Sequence, residues 1–251
     1  MSDSLHSLAR GVAVIQSFSS ERPAMTLSEA ARANGLTRAT ARRILLTLQG
    51  LGLVHAEGAR FSLTPRVLTL GWECVSSVGL ASVAQPLIDE FVERTGESCA
   101  ASTLDLPDIV CVAAASPRRL LAIVPRVGDR LPAHATCAGR VLLAGLPEEE
   151  LDGYLDGAQL RPCTKRTLTT ATPLRDAVDR VRTQGWAYVD QEFELGVRSV
   201  AAPITDSSGR TIAALNTFAA NIPARELRGR LLPELIATAQ AISARATGAN
   251  T

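Results

Sequence analysis

A chain of 251 residues that is 46% hydrophobic and 20% charged has the apolar material for a substantial core, which excludes a disordered polymer and permits one large domain or two ordinary ones. No run approaches the roughly eighteen apolar residues of a membrane span, and the opening MSDSLHSLARGVAVIQSF has no basic leader before an unbroken apolar stretch, so a cytoplasmic protein without membrane contact is expected. The net charge of +1 hides a division: residues 1–66 carry eight arginines against four acids (+4), and residues 67–251 carry eighteen Lys plus Arg against twenty-one acids (−3), as expected if only the first part approaches phosphates.

In chain order, SLARGVAVIQSFSSE predicts a first helix, with Leu8, Val12, Ile15 and Phe18 at helical spacing and an end at Ser19 and Ser20. MTLSEAARANGL predicts a short second helix: Thr26 is the N-cap, Glu29 its capping-box partner, and Asn34-Gly35 the stop. Thr37 caps a third helix whose buried stripe is Ala41, Ile44, Leu45 and Leu48 and which ends at Gly50 and Gly52. LVHAEGARFSL reads as two short strands about a Glu57-Gly58 turn, with Val54, Phe61 and Leu63 inward.

Helix, short helix, tight turn, helix and hairpin form the pattern of a winged helix-turn-helix, assigned to residues 1–66. With the apolar stripe on one side of the third helix, Arg38, Thr40, Arg42, Arg43 and Thr47 occupy the rest, and no acid stands between Glu29 and Glu57. Such a helix offers donors to base edges and arginines to phosphate oxygens, where a carboxylate would be repelled. An ordinary solvated face is the bland alternative, and the short preceding helix, the Gly35 turn and the following hairpin count against it. The candidate DNA contacts are Thr26 and Ser28 at the head of the second helix, Thr37, Arg38, Thr40, Arg42, Arg43 and Thr47 on the third, and Arg60 on the hairpin, with His55 a weaker candidate.

SLTPRVLTLGWECVSSVGL predicts a linking helix starting near Pro65, assigned to residues 67–80, and residues 81–251 form the second domain. ASVAQPLIDEFVERTGES is a helix ending at Thr95-Gly96. CAASTLDLPDIVCVAAA gives two strands about Leu106-Pro107-Asp108, and RRLLAIVP gives a third. Helices are expected at CAGRVLLAGLP, PEEELDGYL and PLRDAVDRVRTQG, strands at WAYVDQ, SVAAPITD and RTIAALNTFA, and a last amphipathic helix from about Ala224 to Ala244. The fold class is α+β, built on an antiparallel sheet.

A Cys-His-acid hydrolase can be drawn from Cys137, His134, Asp190 and Glu192. The chain nevertheless has no nucleophile elbow, no phosphate-cradling loop, no H-E-x-x-H and no dinucleotide fingerprint, so neither catalysis nor a cofactor is expected. The five cysteines (Cys74, Cys99, Cys111, Cys137, Cys163) form no C-x-x-C pair and read as reduced thiols, with no metal site. Glu148 to Glu150 follow Pro147 and so form a helix first turn. LPAHATCAGRVLLAGLP passes from strand-like Leu131 through small residues into a helix beginning near Cys137. N–H groups at Cys137, Ala138 and Gly139 would suit a carboxylate, unless the small residues serve only to pack helix on sheet.

SLARGVAVIQSF, TLSEAARANGLTRATARRILLTLQGLGLV, LPAHATCAGRVLLAGLP and GVRSVAAPITDSSGRTIAALNTFA together resemble the IclR family of bacterial transcription regulators over almost the whole chain. LTPRVLTLG and ERTGESCAASTLD resemble the branch that regulates aromatic acid breakdown through the β-ketoadipate pathway. The resemblance implies a GAF-like effector domain behind the winged helix, and dimers that often pair into tetramers. It also implies an effector whose carboxylate meets Cys137 and Ala138, between apolar walls at Leu120 and Leu131 and partners at Asp190, Ser199, Asn216 and Phe218. The expected function is a ligand-responsive regulator of catabolic genes, binding operator DNA and a small carboxylate such as an aromatic acid or a ring-cleavage product. The alternative is a small-molecule sensor or enzyme whose N-terminal unit mediates protein contacts; the charge division and the acid-free third helix favour the first.

Overall fold

The computed structural model describes residues 5–19, 21–70, 80–117, 125–220 and 222–248. The chain divides into two compact units, Met1–Cys74 and Val75–Thr251.

The first unit contains α1 (His6–Gln16), β1 (Ala24–Thr26), α2 (Leu27–Ala33), α3 (Arg38–Gly50), β2 (Val54–Glu57) and β3 (Arg60–Leu63). The capping box forms as its spacing predicts: the Glu29 N–H donates to Thr26 Oγ1 at 3.3 Å, and the Thr26 N–H to Glu29 Oε2 at 2.7 Å. Gly35, at φ +60°, then takes the left-handed turn that a side chain would resist, and Thr37 caps α3. Ala41, Leu45 and Leu48 are buried and Ile44 partly so, beneath Val14, Phe18, Met25 and Phe61. The hairpin register pairs Glu57 with Arg60, so the turn is Gly58-Ala59, one place beyond the expected Glu57-Gly58.

Two features of this unit depart from the sequence reading. β1 pairs with β3 to complete a three-stranded sheet of order β1-β3-β2; three residues beside Pro23 carry too little periodicity to announce a strand. On α1, Leu8 and Val12 are 66% and 45% exposed, while Val14 and Phe18 are buried. Val14 and Phe18 fill the space over α3 with Ile15 packed partly against them, so Leu8 and Val12 lie on a different face of the helix. After β3 a 3-10 turn, Pro65–Leu68, begins the connection. Residues 71–79, and with them Trp72 and most of the predicted linking helix, lie outside the described residues.

The second unit contains α4 (Leu80–Thr95), β4 (Ser98–Asp105), β5 (Asp108–Ala115), β6 (Arg130–Pro132), α5 (Cys137–Ala144), α6 (Glu148–Gly157), α7 (Ala171–Gln184), β7 (Ala187–Asp190), β8 (Val197–Thr205) and β9 (Thr211–Ala220). It closes with a helical turn, Ala224–Glu226, a π segment, Leu227–Leu231, and α8 (Leu232–Gly248), where the sequence suggests one uninterrupted helix. The strands form one sheet of order β6-β5-β4-β9-β8-β7 in which every neighbouring pair is antiparallel. The expected strand RRLLAIVP falls mostly on residues 118–124, outside the described residues; β6 is the strand that pairs with the outer edge of β5.

Alternation along the strands makes the sheet a shared wall. Val200, Ala202, Ile204, Ala213 and Leu215 pack toward α4 and α8, and Ala187, Val189, Ala201 and Ala214 toward α5, α6 and α7. Helices therefore cover both faces, giving the mixed α+β class the sequence predicts. Among the described residues no helix is long and apolar enough to cross a membrane.

One contact sets the position of α5. A Cβ on Gly139 would lie 2.1 Å from the Ala133 carbonyl oxygen, so the first turn of α5 can press on the 3-10 turn Ala133–Ala135 only because residue 139 has no side chain. Gly139→Ala is expected to cost on the order of 3 kcal/mol. A urea melt of the second unit's transition will show this, and an unchanged midpoint would mean that the contact is loose.

Candidate functional site

In the first unit the charged residues gather on α3. Arg38, Arg42 and Arg43 are exposed, and among the described residues none has a carboxylate within salt-bridge range. Arg38 and Arg42 are one turn apart on one face, with Arg43 beside them. The threonines are differently placed. Thr37 Oγ1 accepts the Thr40 N–H at 3.2 Å and lies 2.9 Å from Thr40 Oγ1, while Thr47 Oγ1 donates to the Arg43 carbonyl at 2.9 Å. Thr26 is held in the capping box, where its N–H and hydroxyl keep the Glu29 carboxyl below the usual carboxylate range. Ser28 is exposed in the first turn of α2, and Arg60 donates from Nη2 to the Ala24 carbonyl at 3.0 Å. Of the nine candidates, then, the three α3 arginines keep whole guanidinium groups for an anion, and Thr26, Thr37 and Thr47 are largely spent on their own backbone.

In the second unit, a cavity opens between the first turn of α5 and the sheet face beneath it. It encloses about 590 Å³ of empty space, its mouth included. Six residues expected from the sequence line it: Leu131, Cys137, Ala138, Ser199, Asn216 and Phe218. Leu120 lies outside the described residues. Gly139 faces Ala133 instead of the cavity, because that is the side from which a Cβ is excluded. Asp190 is likewise absent from the lining; it pairs with Arg166 at 2.9 Å and Arg198 at 2.8 Å. Burial would raise its pKa, but the Gln191 amide and these two arginines outweigh it and hold the carboxyl below its ordinary range.

The sequence reading missed several walls. Val197 stands two places before Ser199 on β8, and Val189 on β7 is the register partner of Ser199, so strand alternation applied to Ser199 would have found both. Thr136 is the N-cap that precedes Cys137; its Oγ1 accepts the Gly139 N–H at 3.1 Å. Ser102 and Ile109 come from the β4–β5 pair. Phe193 and Glu194 belong to the β7–β8 loop, where no periodicity marks a residue as facing inward.

The chemistry of this lining is mostly apolar, with the hydroxyls of Ser102, Thr136 and Ser199 and the amide of Asn216 as neutral polar groups. Among the described lining residues the only charged side chain is Glu194. The first-turn N–H groups of Cys137 and Ala138 have no intrahelical acceptor and add the positive end of the helix dipole. Burial pushes the Cys137 thiol up to about 11, against the opposing Ser199 hydroxyl, so it stays protonated and unreactive near neutral pH. His134, buried, meets the Arg161 carbonyl through Nε2 at 3.0 Å. The Cys137-His134 pair that could be drawn on the sequence is thus not the pairing these side chains make. A second depression, beside His134, Tyr154 and Arg161, is wider and more open, and Arg161 there is bound to Gln159 at 2.7 Å.

Comparison with known proteins assigns both parts of the chain to one family. Residues 7–58 match the IclR helix-turn-helix domain, and residues 72–244 match the bacterial transcriptional regulator IclR C-terminal domain. The Pca regulon regulatory protein of Pseudomonas putida is 42% identical over 241 residues, which cover 95% of this chain and 83% of that protein. The p-hydroxybenzoate hydroxylase transcriptional activator of Acinetobacter baylyi is 33% identical over 219 residues, 85% of this chain and 81% of that one. An IclR homolog from Microbacterium hydrocarbonoxydans, solved in complex with 4-hydroxybenzoate, superposes with a TM-score of 0.84 at 26% identity, covering 95% of this chain and 98% of that one. The matched regions follow one another along the chain as the two units do, and the chain belongs to the IclR family of bacterial transcriptional regulators, not to a class of enzymes.

Proposed function

We propose that this regulator controls catabolic genes by reading operator DNA through α3 and by answering to a small aromatic monocarboxylate held in the α5 cavity. The observation that carries the effector class is the composition of the cavity wall: apolar surface, neutral donors, the start of a helix, and one acid. A ring fits the apolar walls, among them Ile109, Phe193 and Phe218. One carboxylate can be met by the N–H groups at Cys137 and Ala138 with Ser199 and Thr136. A second carboxylate, as in a ring-cleavage diacid, would find no basic side chain among the described lining residues and would face Glu194, which instead suits a hydroxyl donor on the ring. The name of the Acinetobacter p-hydroxybenzoate hydroxylase activator and the 4-hydroxybenzoate in the Microbacterium homolog support the same chemistry.

On DNA, Arg42 and Arg43 carry most of the affinity through phosphates, and Arg38 with Thr40 contributes selectivity near the N-terminus of α3. One such helix spans about half a turn of duplex, so useful specificity requires two copies. Leu5, Leu8 and Val12, 72%, 66% and 45% exposed on one side of α1, are the surface proposed for self-association as a dimer or a tetramer built from dimers. The effector regulates by preferring one arrangement of the protein, which changes the population that fits the operator.

Three outcomes test this reading. Arg42→Ala with Arg43→Ala should lower the salt slope of binding to a duplex from the gene's own promoter by about two, one per lost phosphate contact. An unchanged slope by fluorescence anisotropy would remove α3 from the interface. Ser199→Ala should weaken 4-hydroxybenzoate by roughly tenfold in a calorimetric titration of the full chain; tighter binding of a ring-cleavage diacid than of 4-hydroxybenzoate would overturn the effector class. Leu8→Glu should shift the sedimentation coefficient toward the monomer, and a parent that is already monomeric at micromolar concentration would refute self-association.

A further inference from the structure

The β7–β8 loop, residues 191–196, supplies Phe193 and Glu194 to the cavity yet belongs to neither helix nor strand. Its backbone is held in an uncommon form. Gln191, at φ +61°, is the only residue other than glycine with positive φ among the described residues. The loop closes on itself through the Gln191 N–H to the Val197 carbonyl at 2.8 Å and the Gly196 N–H to Gln191 Oε1 at 3.1 Å.

Two anchors hold this loop to the rest of the unit. The Glu192 carbonyl accepts from Thr167 Oγ1 at 2.6 Å and from Thr164 Oγ1 at 3.3 Å. The Glu192 side chain pairs with Arg140, which also donates to the His134 carbonyl at 3.4 Å. The two side chains are only 13% and 5% exposed. Arg140 stands three residues after Cys137, one turn along the same helix that floors the cavity. Among the described residues its Nε has no acceptor, so the pair is not fully satisfied. A buried pair of this kind contributes little net stability relative to apolar residues of similar size, while its geometry is strict. Its consequence is therefore positional: it ties the wall of the cavity to its floor.

We infer that Arg140 and Glu192 are positioning residues for the effector, fixing Phe193 and Glu194 against the first turn of α5 so that the cavity is formed before the ligand arrives. Neither residue lines the cavity; both act through the loop. The inference rests on the reading that this cavity is the effector site, and the test separates the two.

The full-length parent is compared with Arg140→Met/Glu192→Leu, which removes both charges at similar volume and leaves no unpaired ion behind. Hydrogen exchange without ligand should run about tenfold or more faster at Gln191, Gly196 and Val197 in the double variant, with β4 and β9 amides at parent rates. Affinity for 4-hydroxybenzoate should fall about tenfold, the signature of a binding-competent form that is less populated. Arg140→Lys, which keeps the charge but loses the planar guanidinium, should fall between the parent and the double variant in both measurements. Unchanged exchange in the loop overturns the inference, and so does faster exchange with unaltered affinity. If the double variant does not fold, Glu192→Gln is judged by the same exchange criterion. Should the parent itself take up no 4-hydroxybenzoate, the proposed effector class fails, and the exchange rates alone decide whether the pair holds the loop.

Discussion

The missing side chain at residue 139 is the constraint on which the effector unit depends. Because Gly139 can rest on the Ala133 carbonyl, α5 begins close against the 3-10 turn that follows β6, with Cys137 and Ala138 lining the cavity. The same closeness buries the next residue, Arg140, and a buried guanidinium requires an acid; Glu192 supplies it and draws the β7–β8 loop over the site. The floor of the cavity, its wall and the ion pair beneath it thus follow from one backbone contact. Antiparallel alternation does the rest, sending Ser199, Asn216 and Phe218 to the cavity side while Val200 and Leu215 seal the opposite face.

The DNA-binding unit is organised by charge. Helix α3 is amphipathic in the ordinary way, yet its solvent face is basic without relief, since no acid occurs between Glu29 and Glu57. In the second unit several arginines are matched: Arg175 and Arg182 share Glu148, and Arg130 pairs with Asp105 and Asp108. A cluster of arginines on one helix face with no acid among them suits phosphate, because none of its charge is already neutralised. The division of charge, +4 on residues 1–66 and −3 on residues 67–251, places the attraction to phosphate on the first part of the chain.

Local chemistry made much of this legible in the sequence. Capping residues and turn glycines locate α2 and α3 closely, because Thr26, Glu29, Gly35 and Thr37 act within a few residues of themselves. Six of the residues singled out through the family resemblance line the cavity. What escaped has a tertiary origin. The buried face of α1 is chosen by the space above α3, which the helix's own sequence cannot reveal, and β1 exists because β3 has an edge to offer. Asp190 looked available for a ligand until Arg166 and Arg198 arrived from distant parts of the chain. Phe193 and Glu194 were invisible because a loop has no period, and the groups that anchor their loop, Arg140 on the Glu192 carboxylate and Thr167 on the Glu192 carbonyl, come from distant parts of the chain.

The decisive property of a ligand-responsive regulator is that its two ligands feel one another. The most direct measurement is calorimetric titration of 4-hydroxybenzoate into the full-length chain, alone and again with saturating promoter DNA. Coupling through the α5 cavity predicts that the two dissociation constants differ by roughly fivefold or more, and that DNA affinity changes by the same factor when the effector is saturating. Equal dissociation constants in the presence and absence of DNA would show a cavity that binds without regulating, and would contradict the function proposed for it.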